Sequence, residues 1–164
     1  AVAHRGLRDL RLPALPDGPW EDRALALAAA LRAHLLADRN LLALYAGARR
    51  LSLSVLDATE RGLDLMEEAG YRDAEAVAAF RVLFWHTVGS ALLHHDTDDF
   101  PANRDGGLPE TLGAVDAETH PTFARLLPHF GGVDGAALFT HTTRLVVAGL
   151  AAGPGGGDPE RTTP

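Results

Sequence analysis

Residues 71–96, YRDAEAVAAFRVLFWHTVGSALLHHD, decide the fold. From Ala76 to Leu93 only Arg81, His86, Thr87 and Ser90 carry polar side chains. A helix with one apolar stripe packs on one core, whereas a helix apolar all round must be covered on every side. A chain of 164 residues can rarely supply that cover alone. The stretch therefore predicts a helix over 73–95 and a second copy of the chain laid against it.

Upstream, residues 50–69 form an amphipathic pattern, with Ser54, Asp57, Arg61, Asp64 and Glu68 along one side at helical spacing. Gly70 stands where a left-handed C-terminal cap is expected. Residues 40–47 read as a short apolar helix closed by Gly47. Residues 20–38 read as a longer one, capped by Asp17 or Gly18, with Pro19 in its first turn and Glu21 and Asp22 at its positive end. Pro13, Pro16 and Pro19 break the chain before it, and residues 4–12 suit the tail of an earlier helix. Downstream, 97–115 has loop composition. Residues 117–129 recover an apolar side, and Asp134 can cap a last helix, 135–152, again apolar over most of its surface. Residues 153–164 are too rich in Gly and Pro to fold. No strand pattern occurs, so the fold class is an all-α helical bundle. Ala91 and Val146 represent the two helices that are too apolar for a monomer.

The net charge is −7 and the pI about 5.5, which makes the chain a poor electrostatic partner for DNA or anionic lipid. Without cysteine it has no disulfide framework and no thiolate nucleophile. All 15 basic residues are arginine. The run 76–93 is about the length of the shortest membrane span, but Arg81 and His86 at its centre argue against insertion. No signal peptide is visible, and a cytoplasmic protein is expected. The chain starts at Ala1, as if mid-helix, and is expected to be part of a longer protein.

Two chemistries compete. His94, His95, Asp96, Asp98 and Asp99 are metal-ligand material, and His95 and Asp99 can share a helical face. Adjacent histidines, however, diverge by about 100° on a helix. A helix end with histidines at its negative pole accounts for the same residues. His86 and Ser90 lie one turn apart, and either can meet a ligand or another helix. His34 falls on the stripe Leu27, Leu31, His34. A metal-dependent helical-bundle enzyme using His34, His86 and His94 or His95 is thus one reading. No GxSxG motif or nucleophilic triad is present. Arg49 and Arg50, after Tyr45-Ala46-Gly47-Ala48, can bind an acidic group or simply complement a helix C-terminus.

From about residue 20 to 152 the order of elements resembles the C-terminal ligand-binding and dimerisation domain of tetracycline-repressor-type (TetR-type) transcriptional regulators. The segments that carry the resemblance are Trp20 opening a helix, LLADRNLLALYAGARR (35–50), LDLMEEAGY (63–71), FRVLFWHTVGSAL (80–92) and GGVDGAALF (131–139). The resemblance implies a non-catalytic domain without a cofactor or metal. It implies a homodimer built as a four-helix arrangement by 73–95 and 135–152. It also implies a division into 1–12, the end of a helix leading to an absent N-terminal helix-turn-helix head, 13–152, the effector and dimerisation domain, and 153–164, a disordered tail. Operator DNA would be bound through that head.

The family's inducer pocket, carried over by position, implies Leu27, Leu31 and His34 on the first core helix and Tyr45 and Arg49 near the following turn. Thr59 and Gly62 follow, then Val77, Phe80 and Phe84 on the long helix, and Phe123, Leu127 and Phe130 on the penultimate one. Leu27 stands where the tetracycline-binding pattern expects an amide, Tyr45 where it expects an imidazole, and Leu93 where it expects a carboxylate. The implied effector is a small, mostly apolar or aromatic molecule that needs no metal. Its polar end would be directed at Tyr45 and Arg49.

Overall fold

The computed structural model describes residues 12–37, 53–99, 115–129 and 134–153. These form α1 (Trp20–Ala37), α2 (Leu53–Glu68), α3 (Asp73–Asp99), α4 (Pro121–Leu126) with a 3₁₀ turn at Leu127–His129, and α5 (Gly135–Ala151). Among the described residues there is no strand, and the chain is all-α. The expected helix at 40–47, most of the loop expected at 97–115, and the tail beyond Gly153 lie outside the described residues.

Local chemistry explains most of the boundaries. Gly70 has φ +98°, and Gly70 N donates to Glu67 O while Tyr71 N donates to Met66 O. This is the paired bonding that closes a helix through a left-handed glycine. Asp134 caps α5 by accepting from Ala136 N (3.1 Å) and Ala137 N (3.2 Å). Pro19 precedes α1 rather than opening it, because its carbonyl accepts the bond from Arg23 N. α3 extends past the expected end at 95 to Asp99, so Thr97, Asp98 and Asp99 are helical. The helix expected over 117–129 is shorter, six residues of α-helix followed by the 3₁₀ turn, with no buried side chain in either part.

α1 and α3 form the centre of the bundle; each packs against the other and against α2 and α5. α1 buries Ala24, Leu27, Ala28, Leu31, Arg32 and Leu35, a stripe at helical spacing. One apolar cluster joins Leu27, Leu65, Met66, Leu83, Phe139 and Val147. A second joins Leu31, Leu35, Val88 and Ala91. Tyr71 ties α5 to this core by donating from its hydroxyl to Leu150 O at 2.9 Å.

α3 has two distinct faces. Ala76, Ala79, Leu83, Thr87 and Ala91 are buried inside the chain, whereas Val77, Val82, Trp85 and Leu93 are exposed. On α5, Phe139, Thr143, Val147 and Leu150 are buried, and Leu138 and Leu145 are exposed. Residues 73–93 are long and apolar enough to cross a membrane by length and composition, yet the helix packs on α1, α2 and α5.

Candidate functional site

Between α1, α2 and α3 lies a cavity of about 20 Å³. α1 contributes Leu27, Ala28 and Leu31, and α2 contributes Ala58. α3 contributes Phe80, Leu83, Phe84 and Thr87, four residues at helical spacing. The Phe80 and Phe84 rings are tilted at 35° with centroids 5.6 Å apart. Thr87, fully buried, is the single hydroxyl in the wall and donates to Leu83 O at 2.8 Å. Its oxygen retains acceptor capacity toward anything in the cavity. The volume holds about one water molecule, so an organic molecule has to push the walls apart.

Gly62 lies behind this wall. A Cβ built on it would overlap Cε2 and Cδ2 of Phe80, so only glycine lets α2 approach the ring this closely. The ring therefore presses on helix backbone, not on a side chain that can swing away.

The sequence-derived candidates divide accordingly. Leu27, Leu31, Phe80 and Phe84 line the cavity together, and Gly62 backs it. Thr59 is half-buried next to Ala58 without lining the cavity, and His34 is half-buried further along α1. Val77 does not reach it; 40% exposed, it sits on the outer face of α3. Phe123 and Leu127 are half-buried on α4 and its 3₁₀ turn, and neither lines the cavity. Tyr45, Arg49 and Phe130 lie outside the described residues. Ala28, Ala58, Leu83 and Thr87 were not indicated by the sequence. Small or ordinary core residues give no signal until two helices cross over them.

A second polar feature joins α1, α3 and α5. Arg32, buried on α1, stacks over Phe139 at 4.8 Å, and Phe139 stacks on His86 with centroids 5.6 Å apart and planes at 6°. His86 Nε2 meets Thr143 Oγ1 at 3.0 Å and Thr142 Oγ1 at 3.4 Å. Both hydroxyls are already donors, to Phe139 O and Leu138 O, so the arrangement that satisfies every group places the proton on His86 Nε2. Burial holds the His86 pKa below its ordinary value. Burial also lowers that of Arg32, partly opposed by the charge of Asp134. His86 is thus a packing and hydrogen-bonding residue between α3 and α5.

The enzyme reading finds no support here. Among the described residues no three His, Asp or Glu side chains gather as a metal-ligand group. The His94 and His95 side chains lie outside the described residues.

The profile of the family described as Tetracyclin repressor-like, C-terminal domain, matches residues 12–153. No match was found among curated proteins. A possible TetR family transcriptional regulator from Streptomyces coelicolor A3(2) is 32% identical with a TM-score of 0.72, over 92% of this chain and 74% of that one. ActR, a TetR family protein of Streptomyces coelicolor solved with actinorhodin, has a TM-score of 0.75 at 22% identity, over 94% of this chain and 74% of its own. The same protein solved with (S)-DNPA gives 0.73 at 22% identity, over 94% and 74%. With the family profile spanning the whole bundle, and these folds superposing on it, the chain belongs to the tetracyclin repressor-like C-terminal domain family.

Proposed function

We propose that this chain is the effector-sensing and dimerisation domain of a TetR-type transcriptional repressor. The observation that carries the proposal is the cavity between α1, α2 and α3, whose walls are apolar apart from Thr87. Ligand sites are mostly apolar with a few oriented polar groups. The effector is accordingly a small apolar or aromatic molecule. Thr87 accepts one hydrogen bond from it, and its remaining polar end is directed at Tyr45 and Arg49. The donor set of the wall is unsuited to a metal chelate, so binding needs no divalent ion. That ActR is solved with actinorhodin and with (S)-DNPA supports a ligand-binding reading of the shared fold.

The apolar face Val82, Trp85, Leu93, Leu138 and Leu145 is the homodimer surface, where α3 and α5 meet their copies as four helices. A helix-turn-helix head joined through the helix that ends at residues 1–12, and not itself within the 164 residues, binds operator DNA, and the effector changes the spacing of two such heads. The test is a gel-shift assay on the chain extended upstream, with its own promoter DNA. Effector-sensitive binding of a palindromic site is expected. Operator binding by the 164-residue chain alone would contradict the division of roles.

A further inference from the structure

We propose that the hydrogen bond from Arg61 to the carbonyl of Pro13 couples the cavity to the segment 12–19, so that filling the cavity is read there through α2. The biological meaning of this coupling rests on the effector reading above.

The cavity is too small for an organic molecule, so occupation has to move a wall. On the α2 side the wall cannot yield by a side-chain flip. The Phe80 ring rests against the backbone at Gly62, and Ala58, one turn earlier, is itself part of the lining. Pressure on either residue therefore displaces the helix. Arg61 is adjacent to Gly62 and on the outer surface, where its Nη1 donates to Pro13 O at 3.1 Å, a contact between residues 48 apart in sequence. At the C-terminal end of α2 the fully buried Leu65 and Met66 anchor the helix in the core, and the surface ion pair of Arg23 with Glu68, at 2.6 Å, adds a link to α1. Displacement then grows away from that anchor, toward Gly62 and Ala58.

The segment 12–19 is built to transmit such a movement. Pro13, Pro16 and Pro19 restrict its backbone, and Gly18 turns it at φ +133°. Leu12 is buried in the core and Leu15 packs partly on it, while Pro13, Ala14, Pro16, Asp17, Gly18 and Pro19 are exposed. Between these two apolar contacts the Arg61 bond adds a polar link to α2. By linkage, an effector that loosens this link binds more tightly once the link is gone.

The chain has no cysteine, so Ala14→Cys places a unique nitroxide on the exposed segment. The readout is the ratio of mobile to immobile label by electron paramagnetic resonance, in the full 164-residue chain. Arg61→Met should raise that ratio about fivefold, the population change expected from one hydrogen bond. Gly62→Ala, which forces the Phe80 ring and α2 apart, should raise it in the Arg61 background and add nothing to Arg61→Met. An unchanged ratio with Gly62→Ala, or an equal increase in both backgrounds, overturns the coupling. If Gly62→Ala fails to fold by circular dichroism, Ala28→Val overfills the same cavity from α1 and takes its place. These variants need no ligand, so their result stands even if the cavity proves to bind no effector. Conversely, an effector that binds in the cavity and leaves the label unmoved overturns the coupling while preserving the effector reading.

Discussion

Trp85→Ala isolates the proposed dimer surface from the fold. Trp85 is 64% exposed, with the Arg81 guanidinium 6.0 Å from its ring centroid. A tryptophan side chain can bury roughly 250 Å², so about 160 Å² of each ring is available to a partner; at about 25 cal/mol per Å² that amounts to about 4 kcal/mol per ring. Association consumes part of such a gain, and an alanine methyl keeps part of the contact, so roughly half is a reasonable expectation. Two rings per two-fold dimer then cost about 4 kcal/mol, a weakening on the order of a thousandfold in the dimer dissociation constant. Sedimentation equilibrium over a dilution series reads this directly. The monomer's helicity should be unchanged, because the ring is on the face turned away from the cores containing Ala79, Leu83 and Ala91. A wild-type chain that is monomeric at micromolar concentration, or a Trp85→Ala dimer as tight as wild type, would refute the assignment of this face.

Lowering the pH should destabilise the fold through His86. Its folded pKa lies below the ordinary 6.5, so below that pH the unfolded chain takes up the proton first and stability falls. Chemical denaturation at pH 7.5 and 5.5 should show the loss, and His86→Gln should shrink the difference. Asp134→Ala removes the side-chain cap of α5 and should cost about 1 kcal/mol without altering dimerisation, which a urea titration measures. Thr143→Val keeps the shape of a fully buried side chain but leaves His86 Nε2 without its nearest acceptor, a loss of about 1–3 kcal/mol in the same titration.

The end of α2 and the start of α5 were legible because these boundaries use local chemistry. Gly70 and Asp134 act through bonds to neighbours a few residues away, and a sequence displays such neighbours. The faces of α3 were not legible, for a physical reason. A helix apolar all round has no polar side to orient it, so Ala91 and Trp85 read alike in sequence. In the fold Ala91 is fully buried in the chain's own core, and Val146 packs partly on it, whereas Trp85 and Leu145 point outward. Charged substitutions at Ala91 or Val146 would therefore probe folding and not association. The extension of α3 through Thr97–Asp99 was hidden for a related reason, since polar residues suit a solvated last turn as well as a loop. In the cavity, the large residues Leu27, Leu31, Phe80 and Phe84 were indicated by the family resemblance. Ala28, Ala58, Leu83 and Thr87 enter it only through the way α1, α2 and α3 cross.

Calorimetry of an effector against wild type and Phe84→Ala, with and without EDTA, decides whether the cavity between α1, α2 and α3 is an apolar effector site. The effector would come from a thermal-shift screen of apolar and aromatic compounds. Removing the Phe84 ring takes away about 2 kcal/mol of buried contact, so affinity should fall roughly thirtyfold with EDTA making no difference. Tight binding that is indifferent to Phe84→Ala, or that disappears with EDTA, would contradict an apolar effector site between α1, α2 and α3.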